Sequence, residues 1–305
     1  MNPDVSEPGR PRNALFIDSD VRVFEGEEAW RRLSDKNDSR FLEGDRGVVQ
    51  VDRARWEEAQ RYERRTWMEH LRLAADDHNR DYLGPFQNYA ALSGRTFDRA
   101  IELGCGPFTN MRLVLEHAEV RDVHLLDPLA IDYLQHPLCR YRGGRLGGLK
   151  AVLSPQALRS WRAPLLLARE LANSLRIGGL RGRTVHVEPV AIEEFQSPVK
   201  FDLVVMINVL EHCRDARAIF AKIEEILLPG GIVVFHDRLW DEAELGRTIG
   251  MLYDAGHPLR LGRAAAEPFL SSYEPLVRDE RKVVDVEDGI RLERTAVSFI
   301  GRKRS

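Results

Sequence analysis

The 305-residue chain has few cysteines: Cys105, Cys139 and Cys213 are an odd, widely spaced set. Such a set offers neither a disulfide framework nor paired metal-ligand spacing. No stretch approaches the roughly 18 consecutive apolar residues that a membrane span requires. The opening segment, MNPDVSEPGRPRN, has no apolar core of the kind a secretory signal carries. Neither sign of charge is in excess: 45 Lys and Arg stand against 48 Asp and Glu. There is therefore no general nucleic-acid signature. No internal repeat is visible. These absences lead to the expectation of a cytoplasmic protein with reduced thiols and no membrane association. The 43% apolar content is enough for a substantial core, and the length fits one large α/β domain.

Two nucleotide-binding fingerprints are also missing. No Gly-x-x-x-x-Gly-Lys-Ser/Thr phosphate loop occurs. In IELGCGPFT (101–109), Thr109 stands where a dinucleotide loop would have its third glycine, and Pro107 and Phe108 crowd the place of a pyrophosphate. The turn instead suits a carboxylate at the following helix N-terminus and a cation near Glu102. An amino-acid zwitterion joined to an adenosine meets that description.

Residues 1–13 read as a disordered tail, and residues 14–50 as short apolar pieces between turns. From Arg53 to Asp77, Ala59, Tyr62, Thr66 or Trp67, Leu71 and Ala74 recur near a 3.6-residue period, which predicts an amphipathic helix. From residue 98 strands and helices alternate. RAIEL (99–103), VHLLD (123–127), TVHVEPV (184–190), KFDLVVMIN (200–208) and GIVVFHD (231–237) read as strands. A helix is expected over 109–118 with Thr109 as its N-cap. Another is expected from an Asp215 N-cap to Pro229-Gly230-Gly231. Repeated βα units imply a parallel sheet covered on both faces. RKVVDVE and IRLERTAVSFI flank Asp288-Gly289, a strong hairpin signal. Between Asp127 and Thr184 lie 56 residues, more than a crossover needs; this is read as an insertion at about 129–183. It holds a Gly/Arg-rich piece with Arg140, Arg142 and Arg145, and a helix from Pro164.

In an open α/β sheet, ligands sit beyond the carboxyl ends of the strands. Those ends carry Glu102 with Gly104 and Gly106, then Asp127, then Asn208 with Glu211 and His212. Asp127 follows Gly106 by 21 residues, the spacing at which a second-strand acid grips ribose hydroxyls.

IELGCGPFT, HLLDP, FDLVVMINVLEHCRDA and ILLPGGIVVFHD, in that order, resemble the class I S-adenosylmethionine-dependent methyltransferases. The resemblance covers about residues 98–240. It implies a Rossmann-like, doubly wound, seven-stranded, mostly parallel sheet with a C-terminal antiparallel hairpin as its sixth and seventh strands. Residues 14–97 would be an N-terminal helical cap and 98–305 the methyltransferase domain. The implied cofactor is S-adenosyl-L-methionine. Gly104, Cys105 and Gly106 would line its methionine portion and Glu102 would support its amino group. Asp127 would hold the ribose, and Asn208 and Val209 would flank the cofactor. Where the family commonly has an acid-Ala pair reading adenine, this chain has Val190-Ala191. Ala191 is then the matching position, with Glu193, Glu188 or backbone groups taking the acid's part.

For the chemistry, His212 and Glu211 are the catalytic candidates, with His212 the leading general base, although such a histidine often only packs near the cofactor. Some methyltransferases hold a divalent metal with Glu-x-x-Glu-His. Here Asn208 replaces the first Glu, so Glu211, His212 and His257 are not expected to bind one. His236 and Asp237 either approach substrate or form an ordinary turn. Trp56, Trp67, Tyr82, Phe86 and Tyr89 read as aromatic packing, or alternatively as a lid. Cys105 and Cys213 read as small packing residues. The expected reaction is SN2 methyl transfer to an O or N of a small-molecule or glycan acceptor. An NAD(P)-dependent oxidoreductase and a non-catalytic methyltransferase-like binding subunit are the alternatives.

Overall fold

Alternate side chains of the Phe201–Ile207 run pack to opposite sides. Val204 and Met206 enter one apolar cluster, Leu203, Val205 and Ile207 another. A strand with both faces covered needs no polar alternation, which is why this run reads as continuously apolar. The structure, a computed structural model, describes residues 14–35, 43–68, 89–135, 139, 180, 183–287 and 290–304.

In chain order the elements begin with β1 (Leu15–Ile17), β2 (Val23–Glu25), α1 (Gly26–Asp35), β3 (Gly47–Val48) and α2 (Arg53–Met68). The βα units follow as β4 (Thr96–Leu103), α3 (Met111–Val114), β5 (Glu119–Leu126), α4 (Ala130–Gln135) and β6 (Thr184–Glu188). Then come β7 (Phe201–Ile207), α5 (Ala216–Ile226), β8 (Leu227–Trp240), α6 (Glu242–Ile249), β9 (Leu252–Asp254) and β10 (Arg260–Leu261). The last elements are α7 (Arg263–Ser271), β11 (Tyr273–Glu287) and β12 (Ile290–Lys303).

The seven-stranded sheet runs β11-β12-β8-β7-β4-β5-β6. Its β8-β7-β4-β5-β6 portion is parallel, while β12 lies antiparallel to both β8 and β11. The expected doubly wound sheet with its terminal hairpin is therefore present. Glu287 pairs with Ile290, which leaves Asp288-Gly289 as the connection, outside the described residues. Strand order reverses between β4 and β7, and this opens a crevice at their carboxyl ends.

Several expectations need correction. Residues 14–97 are not simply helical: β1 pairs in parallel with β9, and β3 antiparallel with β10. Two- and three-residue strands are too short to show a period in sequence. The helix expected over 109–118 is only α3, because Thr109 takes a φ of +45° instead of a cap conformation. Helix α5 has its predicted Asp215 cap but ends at Ile226, before Pro229, since Leu227 already pairs with Phe201. Helices α6 and α7 occupy a stretch with no sequence expectation. The tail 1–13, the helical pattern past Met68, Tyr82, Phe86, most of the 129–183 insertion with Arg140, Arg142 and Arg145, and the helix from Pro164 lie outside the described residues.

Helix α2 starts where Asp52 Oδ1 accepts the Arg55 N–H at 2.8 Å. Its Arg55 is buried and donates to the carbonyls of Ala255 (2.7 Å) and Asp254 (2.5 Å). The Tyr62 ring sits against Gly256. These contacts hold α2 on the β9–β10 segment and leave its adjacent stripe facing the crevice.

Candidate functional site

The loop after β4 turns at Gly104, with φ +69°. A Cβ there would lie 2.4 Å from Val209 Cγ1, so the position needs both left-handed backbone and the missing side chain. The N–H groups of Gly104 and Cys105 donate to Leu126 O at 2.8 and 3.1 Å, tying the loop to the end of β5. Glu102 does not face outward as expected. It is wholly buried and accepts from Thr109 Oγ1, Asn110 N (2.7 Å), Asn110 Nδ2 (2.9 Å) and Met111 N (3.1 Å). Its carboxylate thus takes N–H groups that the sequence reading left open for a ligand. Burial raises its pKa despite these bonds.

Asp127 closes β5. Its Oδ2 accepts Gly106 N at 3.0 Å and its Oδ1 accepts Leu129 N at 2.8 Å. Burial pushes its pKa up to about 6. At the end of β7, Asn208 has φ +56°, and its buried Oδ1 has no hydrogen-bond partner. Left-handed backbone at a residue bearing Cβ is uncommon, and an orphaned buried oxygen is costly. Asp237 holds this turn by accepting Val209 N (3.3 Å) and Leu210 N (2.9 Å). His236 is wholly buried, with Nδ1 3.0 Å from Ser298 Oγ. Neither His236 nor Asp237 lines the cavity.

That cavity, of about 150 Å³ and open to solvent, lies at the crevice between β4 and β7. One wall is the strand-end side: Gly104 through Asn110, Asp127, Ala191, Asn208, Val209 and His212. Of the predicted site residues, Gly104, Cys105, Gly106, Asp127, Ala191, Asn208, Val209 and His212 meet here, while Glu102 and Glu211 do not. Ala191 is present, and Glu193 is beside it with Oε1 already accepting Arg214 N and Asp215 N at 2.8 and 3.2 Å. Glu188 lies 3.5 Å from His124 instead. Cys105 and Cys213, read as packing residues, are buried and also line this wall.

The facing wall is α2, with Trp56, Gln60, Glu63 and Trp67. Glu63 and Gln60 were not singled out from the sequence. The available signal was the i, i+4, i+7, i+11 spacing of these residues, one stripe beside the apolar one. The two tryptophans pack against the apolar clusters, as expected, and also line the cavity, whereas Tyr89 is buried within one cluster and does not line it.

His212 and Glu211 belong to an ion-pair network. His212 Nδ1 lies 3.3 Å from Glu63 and 3.1 Å from Gly256 O. Burial opposes its charge, but Glu63, Glu211 and the Gly256 carbonyl outweigh it and push its pKa up to about 10. It therefore rests as an imidazolium, which has no lone pair with which to act as the expected base. Glu211 is buried behind the wall, 3.3 Å from Arg238, 3.6 Å from Arg294 and 3.7 Å from His257. Against its burial, His257, Arg238 and Arg294 hold its pKa well below the usual carboxylate range. His257 is raised, in spite of burial, by Asp254 and Glu211. Possible ligand atoms of Glu211, His212 and His257 lie within 4.8 Å of one another. Arg238, Arg294 and His257 around the Glu211 carboxylate make this a salt-bridge hub.

A profile of the family described as a methyltransferase domain matches residues 60–264, more than half the chain. The chain belongs to the methyltransferase-domain family. Among solved structures, this methyltransferase is similar to the N-methyltransferase NodS from Bradyrhizobium japonicum WM9 in complex with S-adenosyl-L-homocysteine: 17% identity, TM-score 0.41, 82% of this chain and 99% of that one. It is also similar to Burkholderia thailandensis 1,6-didemethyltoxoflavin-N1-methyltransferase, with 15% identity, TM-score 0.44, and coverage of 87% and 98%. No curated protein matches the chain.

The methyltransferase's cofactor is S-adenosylmethionine, and the strand-end wall fits it. Gly106 leaves open space on the loop, where a Cβ would meet nothing within 4 Å, and Asn208 offers an unused acceptor. The oxidoreductase alternative falls with the family match. No described helix is long and apolar enough to cross a membrane.

Proposed function

We propose that this methyltransferase moves a methyl group to an oxygen or nitrogen of a small-molecule or glycan acceptor. The observation that carries the reading is the two-sided cavity, with cofactor-type groups on the strand ends and a separate stripe of α2 opposite. S-adenosylmethionine supplies a methyl group made electrophilic by a sulfonium. The chain's residues bind and align, because an SN2 displacement needs its partners held in line.

In this reading Gly104, Cys105 and Gly106 line the methionine portion, Asp127 accepts from the ribose hydroxyls, Ala191 borders the adenine, and Asn208 and Val209 flank the ligand. Glu102 acts at one remove, as a positioning residue: it fixes Thr109, Asn110 and Met111 and so the shape of the loop. Glu211 anchors the network behind the wall, and His212 orients Glu63 instead of taking a proton. Residues 14–97 serve as a cap on the domain of residues 98–305. The three buried free thiols suit a reducing compartment, so the cytoplasm is the proposed location.

Calorimetric titration with S-adenosylhomocysteine tests the assignment. Wild type should bind, and Asp127→Asn should weaken binding about 10- to 100-fold, the scale of a lost charged hydrogen bond. Unchanged affinity in Asp127→Asn would remove Asp127 from the site. Tight NAD(H) binding without S-adenosylhomocysteine binding would overturn the whole reading.

A further inference from the structure

The α2 wall carries chemistry that the cofactor does not use. Trp56, Gln60, Glu63 and Trp67 form one stripe of that helix, with Glu63 lying along it between the two indoles. Trp67 Nε1 donates to Glu63 Oε2 at 2.8 Å, and Trp67 stands edge-on to Phe108 at 5.8 Å. Glu63 Oε1 lies 3.3 Å from His212 Nδ1, so both carboxylate oxygens are oriented from fixed groups. The Glu63 side chain is still 15% exposed, on the cavity side of the helix.

Among the described residues lining the cavity, the carboxylates are Glu63, Asp127 and Glu193, and no Lys or Arg joins them. Glu193 is engaged with the Arg214 and Asp215 backbone, and Asp127 with Gly106 and Leu129 on the cofactor side. Glu63 is the carboxylate that α2 brings to the cavity, held from behind by side chains, Trp67 and His212, and not by backbone N–H groups.

Resting on the methyltransferase reading above, we propose that the acceptor is a primary or secondary amine, held by Glu63 beside the indoles of Trp56 and Trp67. An amine N–H finds an acceptor in the Glu63 carboxylate. The amine reacts as its free base, its ammonium proton already given up to solvent; as the nitrogen lone pair forms the N–CH3 bond, the sulfonium C–S bond breaks and the positive charge passes from sulfur to nitrogen. That cation develops next to the Glu63 carboxylate and two indoles, which favour it, while the His212 imidazolium on the same carboxylate opposes it. An alcohol would instead have to lose its proton to a base during transfer. His212, the imidazole beside Glu63, already has its Nδ1 engaged by Glu63 and the Gly256 carbonyl, so that nitrogen is not free to accept the proton.

The protein loaded with S-adenosylhomocysteine should be titrated with matched probes, benzylamine against benzyl alcohol and tryptamine against tryptophol, followed by tryptophan fluorescence and calorimetry. The amines should bind about tenfold or more tightly than the alcohols, as a charge-assisted bond to carboxylate allows. Glu63→Gln should abolish most of that preference and Glu63→Asp restore part of it, both still binding S-adenosylhomocysteine. Alcohols binding as well as amines, no amine binding at all, or a preference that survives Glu63→Gln would overturn the amine assignment. The wild-type comparison stands even where a variant does not fold. Absence of S-adenosylhomocysteine binding to wild type is read separately and removes the underlying methyltransferase site.

Discussion

A methyl group added at Gly104 probes the cofactor loop most sharply. The three nearest atoms to a Cβ there all belong to one side chain, Val209, at 2.4, 2.6 and 3.1 Å. The left-handed φ of +69° costs an alanine about 1–2 kcal/mol. The overlap with Val209 costs about 1–3 kcal/mol more, as small-to-large changes in packed sites do. Gly104→Ala should therefore lose about 2–5 kcal/mol. Val209→Ala alone should lose about 2 kcal/mol, from two buried methyl equivalents and the space they leave. In the double variant the γ-carbons that collide are gone, so the total should fall short of the sum by about 1–3 kcal/mol. Urea unfolding with matched m-values measures the cycle, and S-adenosylhomocysteine calorimetry measures whether the turn again accepts ligand. Additivity within about 0.5 kcal/mol would show that Gly104 and Val209 are not in this contact.

His212 should be charged at about pH 8 in wild type, read from its ring-carbon NMR shifts. Its folded pKa, about 10, exceeds the unfolded value of about 6.5. The stability contributed by its charge is therefore complete below about pH 6.5 and is lost as pH rises through about 10. Glu63→Gln should drop that pKa, because burial then meets less opposition; a wild-type histidine titrating near its ordinary value would refute the network. Glu102→Gln replaces one acceptor oxygen by an NH2 facing the buried donors of the 109–111 turn. It should cost about 2–3 kcal/mol in urea unfolding and weaken S-adenosylhomocysteine. A loss under about 0.5 kcal/mol would mean that Glu102 does not hold the loop.

The sheet was legible where side-chain periodicity and punctuation are local. Phe201–Ile207 is apolar on both faces, Asp215 caps its helix, and Asp288-Gly289 sits between two alternating runs. The strand-end wall of the cavity was legible because strand ends follow strands: locating β4, β5 and β7 also locates Gly104, Asp127 and Asn208. The short strands β1, β3, β9 and β10 were not: β9 pairs with β1 and β3 with β10 across some 200 residues, and the local partner of β1, β2, is itself only three residues long.

What the sequence alone determined was the order of elements, the missing third glycine, and which residue types stand at the strand ends. Tertiary structure decided where those groups point and what charge they carry. Glu102 turns inward because Thr109 folds back over it with positive φ. Glu63 reaches the cavity because Arg55 and Tyr62 fasten the neighbouring stripe of α2 to residues 254–256. His212 becomes a cation instead of a base because that same helix delivers a carboxylate to its ring. Direction and protonation depend on burial and on partners distant in the chain, and no local pattern encodes either.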